Sequence, residues 1–192
     1  MDRITDIWKD VLQNLSGKTL TGNYTRIDDL LKAFNNFYVC EVTFSKTPSG
    51  ANVVVKKGAE TINADESGKY HLKEGTYSYD ATATHYTSKT NQELVITNAD
   101  ETTGTKTVSV TLSRSECGVS FTLSPETATL VVKDSESHTI TAVDGVYWLP
   151  AGSYTYTASA EGYTSAEDVS LTISAGDVTT GTKTVEVTLV EA

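Results

Sequence analysis

Nine residues that the chain contains twice constrain it more than any other feature. Gly104-Thr105-Lys106-Thr107-Val108-Ser109-Val110-Thr111-Leu112 recurs 77 positions later as Gly181-Thr182-Lys183-Thr184-Val185-Glu186-Val187-Thr188-Leu189, with Ser109 against Glu186 as the one difference. The same offset pairs Cys40 with Cys117, Phe44 with Phe121, Pro48 with Pro125 and Gly75 with Gly152. It also pairs Tyr77 with Tyr154, Tyr79 with Tyr156 and Tyr86 with Tyr163. A repeat of this length is a duplicated structural unit. The expected organisation is therefore residues 1–39 as a separate segment, 40–114 as repeat one and 115–192 as repeat two. Each repeat is large enough to bury a core of its own, though not by a wide margin.

Inside each copy the hydrophobic period is two, bounded by turn residues, which predicts strands. In copy one they fall at Val39–Ser45, Ala51–Lys57, Glu60–Ala64, Lys69–Leu72, Thr76–Ala83, Glu93–Thr97 and Thr105–Ser113. Copy two repeats the pattern, with Asp144-Gly145 as a tight-turn signal and Pro150-Ala151-Gly152 ahead of a long strand. Tyr77, Tyr79, Ala81 and Ala83 share one face, as do Val108, Val110 and Leu112, while threonines and serines take the other. About seven short antiparallel strands with one apolar face make a small β-sandwich. The linker Ser113-Arg114-Ser115-Glu116 has no glycine or proline and predicts a stiff connection.

The runs that carry this pattern resemble a known class of module. Pro48-Ser49-Gly50-Ala51-Asn52-Val53-Val54-Val55, followed by Gly68, Tyr70, Leu72, Gly75 and Tyr77, is similar to PEGA-type and related immunoglobulin-like repeats of bacterial and phage surface proteins. Gly145, Tyr147, Leu149, Gly152 and Tyr154 repeat the match, and copy two adds a Glu161-Gly162-Tyr163 turn where copy one has His85-Tyr86. The resemblance implies a mainly β fold of two tandem immunoglobulin-like β-sandwiches. Such modules serve as spacers, adhesins and decorations alike, so the resemblance points to fold more than to function.

Residues 1–39 follow a different period. Ile4, Ile7, Trp8, Val11, Leu12 and Leu15 form one helical stripe, ended at Gly17. Thr25 with Asp28 opens a second helix whose stripe is Ile27, Leu30, Leu31, Phe34, Phe37 and Tyr38. Two helices of this size cannot bury both stripes alone, so the stripes cover each other, cover repeat one or face another chain; the favoured expectation is a docking or oligomerisation segment with Trp8, Phe34, Phe37 and Tyr38 as aromatic anchors. Gly17-Lys18-Thr19 is not a phosphate loop, because the glycine such a loop needs upstream falls on Leu12.

Charge excludes some partners. The chain carries −10 overall. Residues 1–39 are neutral, copy one counted as 40–116 carries −2, and copy two counted as 117–192, with Lys133 and Lys183 as its only basic residues, carries −8. That gradient argues against nucleic acid and anionic membranes, and no stretch approaches the ~20 apolar residues of a membrane span. Cys40 and Cys117 occupy equivalent places in successive domains, too far apart for a disulfide, and alternate with Val42, Phe44, Val119 and Phe121. They are expected to be buried free thiols.

Chemistry is sparse. His71, His85 and His138 have no metal-ligand spacing, and the carboxylates at Asp65-Glu66, Asp100-Glu101 and Glu167-Asp168 lack the calcium-loop pattern. The expectation is no enzyme, no catalytic residue, no metal and no cofactor. Trp148, between Tyr147 and Leu149 on a strand, faces away from them, and its counterpart in copy one is His71. It either shields a strand edge or domain junction, or contacts a ligand, a cell-surface glycan or a protein.

Two function classes follow. The first is a phage virion accessory (head decoration, head fibre or tail accessory), made in the host cytoplasm, docked on a capsid or tail protein through residues 1–39 and projecting its two sandwiches from the virion surface. Its support is an opening that predicts no secretory signal and an ending that predicts no anchor. The second is a fragment of a bacterial cell-surface adhesin with glycan- or protein-binding repeats. Homo-oligomerisation through the N-terminal stripes is compatible with either.

Overall fold

The computed structural model describes residues 39–192 together with Lys9 and Asp10, which are helical. The docking residues from Ile4 to Tyr38 lie outside the described residues, and so does the second helix. The described chain forms two compact units, one taking in residues up to Ala81 with Lys89–Thr111, the other Thr82–Ser88 with Leu112–Ala192. Thr82–Ser88, part of copy one by the repeat, thus groups with the second unit.

The first unit has seven strands: β1 Cys40–Thr47, β2 Asn52–Lys57, β3 Glu60–Ile62, β4 Tyr70–Leu72, β5 Gly75–Thr82, β6 Lys89–Ile96 and β7 Thr105–Thr111. They form two sheets, ordered β4-β1-β7 and β3-β2-β5-β6. The second unit repeats them as β8 Cys117–Ser124, β9 Thr129–Lys133, β10 Thr139–Ile140, β11 Val146–Leu149, β12 Gly152–Ser159, β14 Ala166–Ile173 and β15 Thr182–Thr188. Its sheets are β11-β8-β15 and β10-β9-β12-β14. Two short strands, β13 Tyr163–Thr164 and β16 Val190–Glu191, pair beside them, where copy one has a bridge between Tyr86 and Arg114.

One expectation is corrected. The strands are not all antiparallel, because β1 runs parallel to β7 and β8 parallel to β15, the first and last of the seven repeated strands. The register is the same in both, Phe44 opposite Val108 and Phe121 opposite Val185. Period-two patterning shows which face of a strand is buried but not which neighbour it takes or in which direction.

The core is the apolar face read from the sequence. Tyr77, Tyr79, Ala81, Val110 and Leu112 are buried, and so are Leu149, Leu171, Ile173, Val187 and Leu189. Each unit centres on a phenylalanine met edge-on by two tyrosines. Phe44 lies 5.6 Å from Tyr70 and 5.2 Å from Tyr79. Phe121 lies 5.6 Å from Tyr147 and 5.3 Å from Tyr156. Such T-shaped contacts place a positive ring edge against a negative face. Cys40 and Cys117 are fully buried and unpaired, and burial pushes both thiols above their ordinary pKa.

The repeated phrase has a structural explanation. Each last strand is preceded by a short helix that periodicity did not predict, α1 (Asn98–Thr103) and α2 (Ala175–Thr180). Thr97 Oγ1 accepts from the Asp100 amide while the Asp100 carboxylate accepts from the Thr97 amide, and Ser174 with Asp177 does the same. This is a reciprocal capping box. Gly104 and Gly181 end the helices at φ 80° and φ 88°, where a side chain would be strained. Their carbonyls then accept from the Glu41 and Gly118 amides, which starts the parallel ladder. Lys106 reaches back to the Asp100 carboxylate at 2.8 Å and Lys183 to that of Asp177 at 3.1 Å. Glycine and lysine therefore recur because one ends the helix and opens the ladder, and the other closes the cap.

These caps make the fold acid-sensitive. Lys106 above all, with the Thr97 groups, holds Asp100 at about 2, and the Ser174 groups with Lys183 hold Asp177 at about 2, against an ordinary 3.8. A carboxylate whose folded pKa is depressed contributes stability that is complete above its unfolded pKa and is lost as pH falls through the folded one. Melting temperature should therefore stay level down to about pH 4 and fall between pH 4 and pH 2. The fall should shrink in an Asp100→Asn, Asp177→Asn double variant followed by circular dichroism.

Candidate functional site

Trp148 stands on β11 directly opposite Gly118 of β8. Its strand neighbours go to the other side: Leu149 is buried and Tyr147 packs edge-on against Phe121. The indole lies against Gly118, where an added Cβ would sit 3.2 Å from two ring carbons and from Val146. Glycine is needed here for lack of a side chain, not for an unusual φ. Copy one has Glu41 and His71 at these positions, and both make polar contacts instead. Glu41 accepts from Lys69 at 2.8 Å, and His71 meets Asp65 at 2.9 Å. The second copy has thus exchanged a polar surface for a tryptophan laid over a glycine.

A face of the indole is covered. The His85 ring stacks on it with centroids 3.6 Å apart and planes inclined by 11°. His85 Nδ1 donates to Glu116 Oε2 at 2.6 Å, and the His85 carbonyl accepts from the Ser115 amide. His85 has φ 65°, in the left-handed region, and its counterpart Gly162 has φ 78°. A non-glycine residue there costs about 1–3 kcal/mol unless its surroundings hold it. The stack and the carboxylate supply that hold. Arg114 continues the cluster, with its guanidinium 5.0 Å from the Tyr86 ring centre and against Gly181, where a Cβ would fall 2.5 Å from it.

Sequence reasoning picked out Trp148 and its orientation and missed His85 as its partner. The signal was present, since His85 stands where the repeat has a turn glycine. The remaining histidine, His138, is exposed and faces Asp134 at 3.2 Å in the β9–β10 turn. Among the described residues, no three His, Cys, Asp or Glu side chains come together as a metal site.

No protein-family model matches the chain, and no curated protein matches it in sequence. Solved structures give remote likenesses. The Bacillus anthracis TIE protein matches at 14% identity and TM-score 0.33, over 80% of this chain and 34% of its own. The pilus adhesin SpaC from Lactobacillus rhamnosus GG, in its open conformation, matches at 10% and 0.35, over 79% and 31%. The shaft pilin SpaA from the same organism, as a D295N mutant, matches at 12% and 0.37, over 80% and 98%. This chain thus spans about a third of the first two.

The strain at His85 gives an ordered prediction. His85→Ala loses the stack and keeps the left-handed backbone, whereas His85→Gly loses the stack and relieves the backbone. Both should lower stability in denaturant melts, with alanine worse than glycine by about 1 kcal/mol.

Proposed function

We propose that this chain is a non-enzymatic structural and contact module of a surface-displayed protein, of the bacterial cell-surface kind. The observation that carries the reading is the parallel pairing of the first and last of the seven repeated strands in each unit. Parallel neighbours begin at the same end, so the chain comes into a unit at one pole and leaves at the opposite one. A fold with this routing adds its own length to whatever carries it, about 25 Å for an eight-residue strand. Tension applied through the chain also loads this ladder along the strands. Its hydrogen bonds then share the load instead of opening one at a time. Those are the properties of a spacer that must reach and hold.

In this reading residues 1–39 supply the attachment to a protein partner or to a second copy, through the two apolar stripes, and the sandwiches project. The unpaired buried thiols mean that neither unit relies on a disulfide for its stability.

Antibody labelling of intact cells of the native host, compared with purified virions from the same culture, tests the setting. Labelling of cells that protease shaving removes is the expected result. Recovery of the chain with capsid or tail proteins in purified virions would overturn it and restore the virion-accessory reading. In either setting, a 40–192 variant should fold cooperatively and fail to attach, and retained attachment would remove the docking role of residues 1–39.

A further inference from the structure

We infer that the outer face of the β9-β12-β14 sheet is a binding site for a neutral saccharide. A cleft of about 420 Å³ lies there, within the range of small-ligand sites. Strand register builds its floor: Thr155 of β12 stands opposite both Lys133 of β9 and Ser170 of β14, and Ser153 stands opposite Thr172. Asp168 completes the lining. The hydroxyls of Ser153, Thr155, Ser170 and Thr172 make no hydrogen bond with another described residue, and Lys133, half-buried, has no carboxylate within ion-pair distance among them.

Copy one shows what the same sheet looks like when it is satisfied internally. Lys56, the counterpart of Lys133, is bound by Asp80 at 2.6 Å, and Asp80 also accepts from the Asn91 amide. Copy two has Thr157 in place of Asp80, and that hydroxyl accepts from the Asp168 amide instead. Where Ser170 and Thr172 stand, copy one has Glu93 and Val95. Lys57 lies over the Tyr77 ring at 5.2 Å. Its counterpart Asp134 instead turns into its own hairpin, accepting from the Glu136 and His138 amides. The second copy has therefore lost the carboxylate that neutralised the lysine, gained hydroxyls beside it, and moved the covering side chain aside.

The chemistry left uncommitted selects the ligand. Lys133 offers donors only, the Asp168 carboxylate acceptors only, and the four hydroxyls either. Vicinal sugar hydroxyls match such a mixture, each giving one hydrogen bond and taking another. An anion fits less well, because Asp134 and Asp168 line the same cleft and copy two carries −8. Trp148 lies outside this lining, so the glycan contact expected at that residue moves to a different face of the same unit. The inference does not depend on where the protein is displayed: surface labelling decides the setting, and ligand mapping decides the cleft.

The test is amide shift mapping on the full chain, titrated with the methyl glycosides of glucose, galactose, mannose and N-acetylglucosamine, and separately with sialic acid. At least one neutral glycoside should move signals confined to β9, β12 and β14. Thr155→Val with Ser170→Val should weaken that binding about tenfold. Ser78→Val, the equivalent change in copy one, should leave it unchanged. No localised shift with any neutral glycoside would overturn the assignment. So would shifts centred on Trp148, or a response to sialic acid alone that salt abolishes. The wild-type map decides the matter even if the double variant fails to fold.

Discussion

Each unit depends on a parallel ladder between strands that lie far apart in the chain. β1 and β7 are separated by β2 to β6, and β8 and β15 by β9 to β14. Joining such distant segments carries a loop-closure cost that nearby contacts do not. The local features just before β7 and β15 reduce the number of ways the last strand can arrive. A reciprocal cap fixes where the helix starts, a left-handed glycine fixes where it stops, and that glycine's carbonyl takes the first rung of the ladder. The lysine two residues on clamps the cap from the strand itself. The local cap, glycine and lysine thus direct the one expensive non-local pairing, and the routing of the chain through the unit follows from it.

Duplication provides an internal comparison that a single domain would lack. Where the copies agree, the residues belong to the scaffold: the Phe-Tyr-Tyr cluster, the buried cysteine, the cap, the glycine and the lysine. Where they differ, the difference is rarely neutral. Glu101, nearly buried, has its carboxylate accepting from the Glu74 amide at 2.6 Å, whereas its counterpart Val178 packs in the apolar core. Glu41 and His71 become Gly118 and Trp148, and Asp80 becomes Thr157. The first copy spends its polar groups on one another. The second leaves several uncommitted.

The scaffold was legible in the sequence because it rests on period and punctuation. Alternation placed all seven strands of copy one within a few residues, and Asp144-Gly145 marked a two-residue hairpin that the structure closes with paired Val143–Val146 hydrogen bonds. The inward cysteines followed from the same alternation. Direction of pairing did not, since a strand's burial pattern is the same beside a parallel or an antiparallel neighbour. The two short helices escaped because six residues do not complete two turns, so no stripe can establish a period. His85 escaped for another reason: it lies in a turn, and its role comes from a ring 63 positions away on a strand, which no local pattern encodes.

A spacer needs only what both copies share, namely a closed core and a ladder that carries the chain from pole to pole. Recognition needs something more, and on a duplicated scaffold it should appear as asymmetry between the copies. At the cleft this asymmetry lies in uncommitted polar groups; Val143 and Val190, the most exposed large aliphatic side chains among the described residues, stand apart from it. Polar groups on an open sheet face are already hydrated, so each hydrogen bond to a ligand replaces one to water and gains little. A site of this kind binds weakly one copy at a time. It becomes useful where many copies are displayed together, because linked weak sites bind far more tightly than any one of them. Under the proposed reading, weak polar recognition and a spacer role are compatible, because display in many copies would supply the array that weak sites require.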